Sequence, residues 1–88
     1  MNEKEMEKEL KALANRRRLS IIRYLKKCRK ASVIEIAKEI KLSFKSTSRH
    51  LAVLLAADVV EREQQNLNVF YFLSPAAKAF AKYIFSMC

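Results

Sequence analysis

The sequence predicts a mainly α-helical domain with one small β-hairpin, in the order α-α-α-α-β-β-α. Three observations carry this. Apolar residues recur at helical spacing in four segments before residue 58 and in one after residue 74. Residues 59–63 and 69–73 are rich in branched and aromatic side chains and flank a polar turn, the pattern of a hairpin. The length, 88 residues, holds one domain, read here as 1–88.

The first helix, over residues 3–14, alternates Glu and Lys around a narrow stripe of Met6, Leu10, Leu13 and Ala14. Glu3, Glu5 and Glu7 suit the positive end of its dipole, and Glu7 pairs with Lys11 one turn on. So narrow a stripe either lies on its own domain or zips against another chain, and both are expected. Asn15 caps a second helix, 16–28, whose core face is Leu19, Ile22 and Leu25 with Ile21 beside them. Arg16, Arg17 and Arg18 crowd its first turn, where cations oppose the dipole. They are read as phosphate contacts or as a solvated turn.

Ser32 with Glu35 is a capping box that opens a third helix carrying Val33, Ile36, Ala37 and Ile40. Residues 41–43 form a turn, and Ser43 caps the fourth helix, 43–57. Thr47, Leu51, Leu54 and Leu55 make that helix's apolar stripe. Lys45, Ser46, Arg49, Ala52 and Val53 fall on the opposite side. The helix ends near Ala57 and Asp58, the latter a residue that tolerates the left-handed conformation. In the hairpin, residues 64–68 are the turn, with Asn66 and Asn68 in the role of glycine. Tyr71 faces one side of its strand, and Phe70 and Phe72 face the other. Ser74 caps a last helix with Pro75 at its first position. Phe80, Tyr83, Ile84 and Met87 make that helix apolar enough to need cover, from its own domain, a second subunit or a membrane surface.

The charge distribution chooses among functions. The formal net charge is +9, from 18 basic and 9 acidic residues. Residues 10–50 hold 13 of the basic residues against two acids, whereas 1–9 are net acidic and 51–88 balance. A cationic centre around a helix pair is the footprint of a polyanion partner. With 51% hydrophobic residues in so short a chain, part of the apolar surface is expected to cover a second copy. No apolar run is long enough to span a bilayer, and residues 1–10 lack the apolar core of a signal peptide, so a cytoplasmic protein is expected. There is no glycine for a phosphate loop. No paired carboxylates and no Cys/His or Ser/His set stand at useful spacing, so neither an enzyme nor a cofactor is expected.

The fourth helix therefore offers a short basic, hydroxyl-bearing face suited to the major groove of double-stranded DNA. Phe44, Lys45, Ser46, Ser48 and Arg49 are the candidate contacts, with Arg49 able to take a guanine edge and Phe44 either a thymine methyl or the core. His50, the single histidine, is read as structural or phosphate-bonding rather than as a metal ligand. Arg16 and Arg17 are candidates for backbone phosphate. Arg62, Gln64, Gln65 and Asn66 are candidates on the hairpin. Cys28, among cations that favour thiolate, and Cys88, at the terminus, leave a thiol switch open.

The element order and several strings resemble the ArsR family of winged-helix regulators. Ala12-Leu13-Ala14-Asn15-Arg16-Arg17-Arg18-Leu19-Ser20-Ile21-Ile22 resembles that family's A-L-A-D-P-T-R-L-R-I-L. Leu42-Ser43, then Ser48-Arg49-His50-Leu51 and Leu54, resemble its L-S-x-S-T-V-S-R-H-L-x-x-L recognition helix. Val69-Phe70-Tyr71-Phe72-Leu73 resembles the end of its wing. The likeness spans about residues 10–73.

The resemblance implies a winged helix-turn-helix fold and a homodimer joined through its first and last helices, with Met6, Leu10, Leu13, Phe80, Tyr83, Ile84 and Met87 at the interface. It implies a repressor on a pseudo-palindromic operator, released from DNA by a ligand. Two alternatives stay open: a winged-helix module for protein–protein contact, and a thiol-responsive regulator. Many members sense metal through a Cys-x-Cys opening the third helix. Here that place reads Ala31-Ser32-Val33-Ile34-Glu35, and no metal site of that type is expected. Arg16 replaces the family's Pro, Lys41 its usual Gly, and the wing tip carries no Lys or Arg, which weighs against minor-groove insertion by cations.

Overall fold

The computed structural model of residues 1–88 has α1 (Glu3–Leu13), α2 (Arg16–Cys28), β1 (Lys30–Ala31), α3 (Val33–Ile40), α4 (Phe44–Ala56), β2 (Val60–Gln65), β3 (Asn68–Leu73) and α5 (Ala79–Met87). Four of the five helices start where a neighbouring side-chain oxygen takes a free backbone amide, as helix starts require. Asn2 accepts from the Glu5 N–H, Asn15 from those of Arg17 and Arg18, and Ser43 from that of Ser46. At α3 the reciprocal capping box of Ser32 and Glu35 is complete. The Ser32 amide, then its hydroxyl, hold the Glu35 carboxyl below the ordinary carboxylate range.

The start of α5 is different, and here the sequence expectation fails. Ser74 and Pro75 do not open the helix. Ser74 is buried, and its hydroxyl donates to Glu61 Oε2 and accepts from the Ala76 N–H. That closes a turn, Ala77 drops into the core, and the helix begins at Ala79. Lys78 at the N-cap makes no capping bond. Instead Glu9, from α1, is 2% exposed, and its Oε1 accepts from the Ala81 N–H at 3.0 Å. The last helix is thus capped by the first, with an acidic group at the positive end of its dipole.

Two further expectations are corrected. The inward face of α1 is Glu9, Ala12 and Leu13 rather than the stripe with Met6, Leu10 and Ala14. Met6 is half-buried, and Leu10 and Ala14 are exposed. The second correction is a third strand. Lys30 and Ala31 pair antiparallel with Phe72 and Tyr71, so the sheet order is β1-β3-β2. Two residues are too few to show alternation, so nothing in the local pattern marks them.

The core is one cluster in which Ile21, Ile22, Leu25, Ile36, Leu51, Leu54, Val59 and Val60 are each at most 1% exposed. Tyr71 joins it, while Phe70 and Phe72, on the other face of β3, are only half-buried. Positive φ falls at Arg29, Lys41, Asp58 and Asn66, four places where glycine is the usual solution. After α4 the Asp58 N–H reaches Leu55 O and the Val59 N–H reaches Leu54 O, a Schellman ending with Asp58 in its left-handed position. The hairpin turn is only Asn66 and Leu67, because Gln65 already pairs with Asn68. That is three residues shorter than the turn read from the sequence.

Replacing Glu9 by Ala leaves the Ala81 amide without its acceptor. Urea denaturation is expected to show a loss of about 1–3 kcal/mol. Hydrogen exchange is expected to speed up first at the start of α5.

Candidate nucleic-acid interface

The orientation of α4 about its own axis decides what it can touch. Thr47, Leu51 and Leu54 are 0% exposed and fix one side of the helix in the core. The helical period then turns Lys45, Arg49, Ala52 and Val53 outward, and all four are exposed. Ser46 and Ser48 are half-buried at the edges of that face. Phe44 is 58% exposed at the first turn, so it is not a core residue. Lys45 and Arg49 form no ion pair within the chain, since the three present are Lys11–Glu7, Lys30–Glu63 and Lys78–Glu5. The first two turns of α4 thus present two uncommitted cations, two hydroxyls and one exposed ring.

The three arginines opening α2 divide their work, which the sequence did not show. Arg18 reaches back to the end of α1, where its Nε donates to Ala12 O at 2.6 Å and its Nη2 to Lys11 O at 2.9 Å. Its Nη1 lies 3.2 Å from His50 Nδ1 on α4. Arg17 donates through Nη1 to Ile40 O at the end of α3. Both guanidiniums therefore sit against carbonyl ends of other helices, where a cation is favoured. Their cost at the start of α2 is offset there. Arg16 is exposed and makes no such side-chain contact, so of the three it alone keeps a free guanidinium.

His50 is half-buried beside Arg18. An arginine can only donate, so Nδ1 must accept and the ring carries its proton on Nε2. Burial first, then Arg18 and Arg17, push the ring below its ordinary pKa of 6.5. The sequence marked His50 as structural or phosphate-bonding but gave no sign of Arg18, which lies 32 residues away. Nothing local could have found it.

On the hairpin, Arg62, Gln64, Gln65 and Asn66 are all exposed. Gln64 Nε2 donates to Asn66 O, and Gln65 Nε2 to Glu63 Oε1, so both amides are bound within the turn region. Glu63 also pairs with Lys30, whose ammonium lies 5.6 Å from the centre of the Phe70 ring. The tip residue is Leu67, 96% exposed. No three His, Cys, Asp or Glu side chains are grouped so as to hold a metal ion. No helix is long and apolar enough to cross a membrane.

A helix-turn-helix of α3 and α4, followed by a β2–β3 hairpin and backed by α2 and α5, is a winged helix-turn-helix. Solved structures agree. HlyU from Vibrio cholerae in its reduced form superposes with a TM-score of 0.80 at 32% identity, over 96% of this chain and 84% of that one. The transcriptional repressor PagR of Bacillus anthracis gives 0.80 at 25% identity, over 96% and 92%. The homodimeric DNA-binding domain of Mb0332 from Mycobacterium bovis, a possible ArsR-family regulator, gives 0.81 at 25% identity, over 96% and 74%. No curated protein sequence matches the chain. Residues 15–62 match the family model of the bacterial regulatory proteins of the arsR family. The chain belongs to the arsR family and is a DNA-binding transcriptional regulator. Family and fold are those of regulators, not of enzymes.

The lowered pKa of His50 predicts a pH dependence of stability. Well above pH 6.5 the ring is neutral in both the folded and the unfolded chain, so it has no effect. Below pH 6.5 the unfolded chain gains the proton more readily, and stability falls as pH drops. In His50→Gln the fall between pH 6.5 and pH 5 is expected to be shallower, as read from urea midpoints across a pH series.

Proposed function

We propose that the chain is a homodimeric repressor that binds a pseudo-palindromic operator in double-stranded DNA and lays α4 in the major groove. One observation carries this reading. Burial of Thr47, Leu51 and Leu54 aims Lys45 and Arg49 at solvent without any acidic partner. In this reading Arg49 reads a base edge, and Lys45, Ser46 and Ser48 bind bases or phosphate beside it. Phe44 stands where it can meet a thymine methyl. Arg16 takes backbone phosphate. Arg17 and His50 contribute chiefly by holding the helix pair together, with His50 Nε2–H left to meet a phosphate. Arg62, Gln64, Gln65 and Asn66 line the neighbouring backbone.

Two copies are joined through α1 and α5. These helices leave Leu10, Phe80, Tyr83 and Met87 from 36% to 68% exposed, with Met6 and Ile84 partly so. Leu13 is only 6% exposed and supports that surface from within its own core. The similar Mb0332 domain is homodimeric and PagR is a repressor. A cytoplasmic location follows from work on DNA.

Selection from random DNA is the test. Paired half-sites about one helical turn apart are expected. Arg49→Ala is expected to relax the preference at one position per half-site, at a cost of about 1–3 kcal/mol. Affinity is expected to fall with salt at a slope of about −0.9 per phosphate contacted. No enrichment at low salt would favour a protein–protein module instead.

A second reading, thiol response, has one observation in its favour. Lys26 Nζ donates to Phe85 O at 3.0 Å, which draws together the ends of α2 and α5, and each end carries an exposed free cysteine, Cys28 and Cys88. With hydrogen peroxide as oxidant, the two thiols would give a disulfide and two waters. Nonreducing mass spectrometry after peroxide is expected to show loss of two hydrogens per pair, with DNA affinity changed. Sulfenic or sulfinic adducts alone would exclude a disulfide switch.

A further inference from the structure

Between α2 and the end of α3 lies a cleft of about 380 Å³, away from the outward face of α4. Its walls carry three cations, Arg23 and Lys27 one helical turn apart on α2 and Lys41 from the turn of the helix-turn-helix, against one acid, Glu39. None of the three cations takes part in an ion pair within the chain. Tyr24 adds a phenol donor, and Ile40 gives an apolar base. The volume lies in the range of small-ligand sites, and a concave wall concentrates the field of its charges.

Lys41 supplies a second, independent observation. Its φ is 56°, in the left-handed region, where any residue with a Cβ is penalised and glycine is not. The backbone there suits glycine, yet the position carries a lysine that lines the cleft.

We propose that this cleft is a phosphate-binding site, built by Arg23, Lys27 and Lys41 and separate from the base-reading face. Arg23 can bind two phosphate oxygens with its planar fork, while the two lysines act as point charges. Glu39 accepts from a protonated phosphate oxygen or a neighbouring hydroxyl. The phosphate comes either from the DNA backbone flanking the operator or from a free phosphorylated compound. Because Lys41 lies between α3 and α4, occupancy bears directly on the placement of α4. The site does not depend on operator binding and can be tested without DNA.

The probe is inorganic phosphate, titrated against chloride at constant ionic strength and followed by amide NMR shifts. Saturable shifts are expected at Ser20, Arg23, Tyr24, Lys27 and Lys41. In Lys41→Gly the urea midpoint is expected to rise, because the backbone strain is relieved, while the saturable shifts are lost. Arg23→Gln with Lys27→Gln is expected to lose them too, and Lys82→Gln on α5 to keep them. If Lys41→Gly or the double variant retains the shifts, or if the shifts are non-saturable and spread over all surface lysines, the proposal is overturned. The source is read from the salt dependence of DNA binding. A slope reduced by about one to two per protomer in the double variant assigns the cleft to flanking backbone. An unchanged slope assigns it to a free phosphate.

Discussion

The structure depends on the seam by which α4 enters the core. A helix buried along Thr47, Leu51 and Leu54 has no freedom to rotate, since each side chain there is 0% exposed. Ser43 fixes where the helix starts and the Schellman turn at Asp58 fixes where it stops. Rotation, start and end together decide which atoms face a duplex. In the proposed complex the apolar seam therefore governs specificity as firmly as the polar face, because it fixes which side chains face outward. Thr47 Oγ1 is buried without a hydrogen-bond partner, so the seam is not ideal, and its branched shape is accepted at the expense of a stranded hydroxyl.

Around this seam the helix ends are tied to one another rather than merely capped. Arg18 closes the carbonyl end of α1 while touching His50 on α4, and Arg17 closes the carbonyl end of α3. Glu9 of α1 completes the amide end of α5. A subunit contact made through α1 or α5 is thus one or two side chains away from α4. The clustered arginines of α2, unfavourable for their own helix, make sense as donors to its neighbours.

Most of the fold was legible because its signals are local. Ser32 with Glu35, Asn15, Ser43 and the spacing of Thr47, Leu51 and Leu54 each act within a turn or two of helix. The failures share one cause, which is partners remote in sequence. Lys30 and Ala31 become a strand only because β3 arrives beside them 40 residues later. Ser74 and Pro75 read as a helix start until Glu61 takes the serine hydroxyl. Glu9 looked like one more solvated acid in a Glu/Lys alternation. Among the candidate contacts, the outward placement of Lys45 and Arg49 was legible from period alone, whereas that of Phe44 was left open between solvent and core. The duties of Arg17, Arg18 and His50 were not legible, because each depends on an atom from another helix.

The bond between Glu9 and Ala81 has a consequence for how the chain is made. Its acceptor leaves the ribosome 72 residues before its donor. The helix-turn-helix can form on the nascent chain from contacts near in sequence, but α1 must wait with a carboxylate still hydrated. Only once α5 has been made can it dock and give the Glu9 side chain its donor. Closure of α1 on α5, and any pairing of subunits through them, is then reserved to copies in which both helices have been made. A chain cut before α5 would keep the helix-turn-helix and lose that closure.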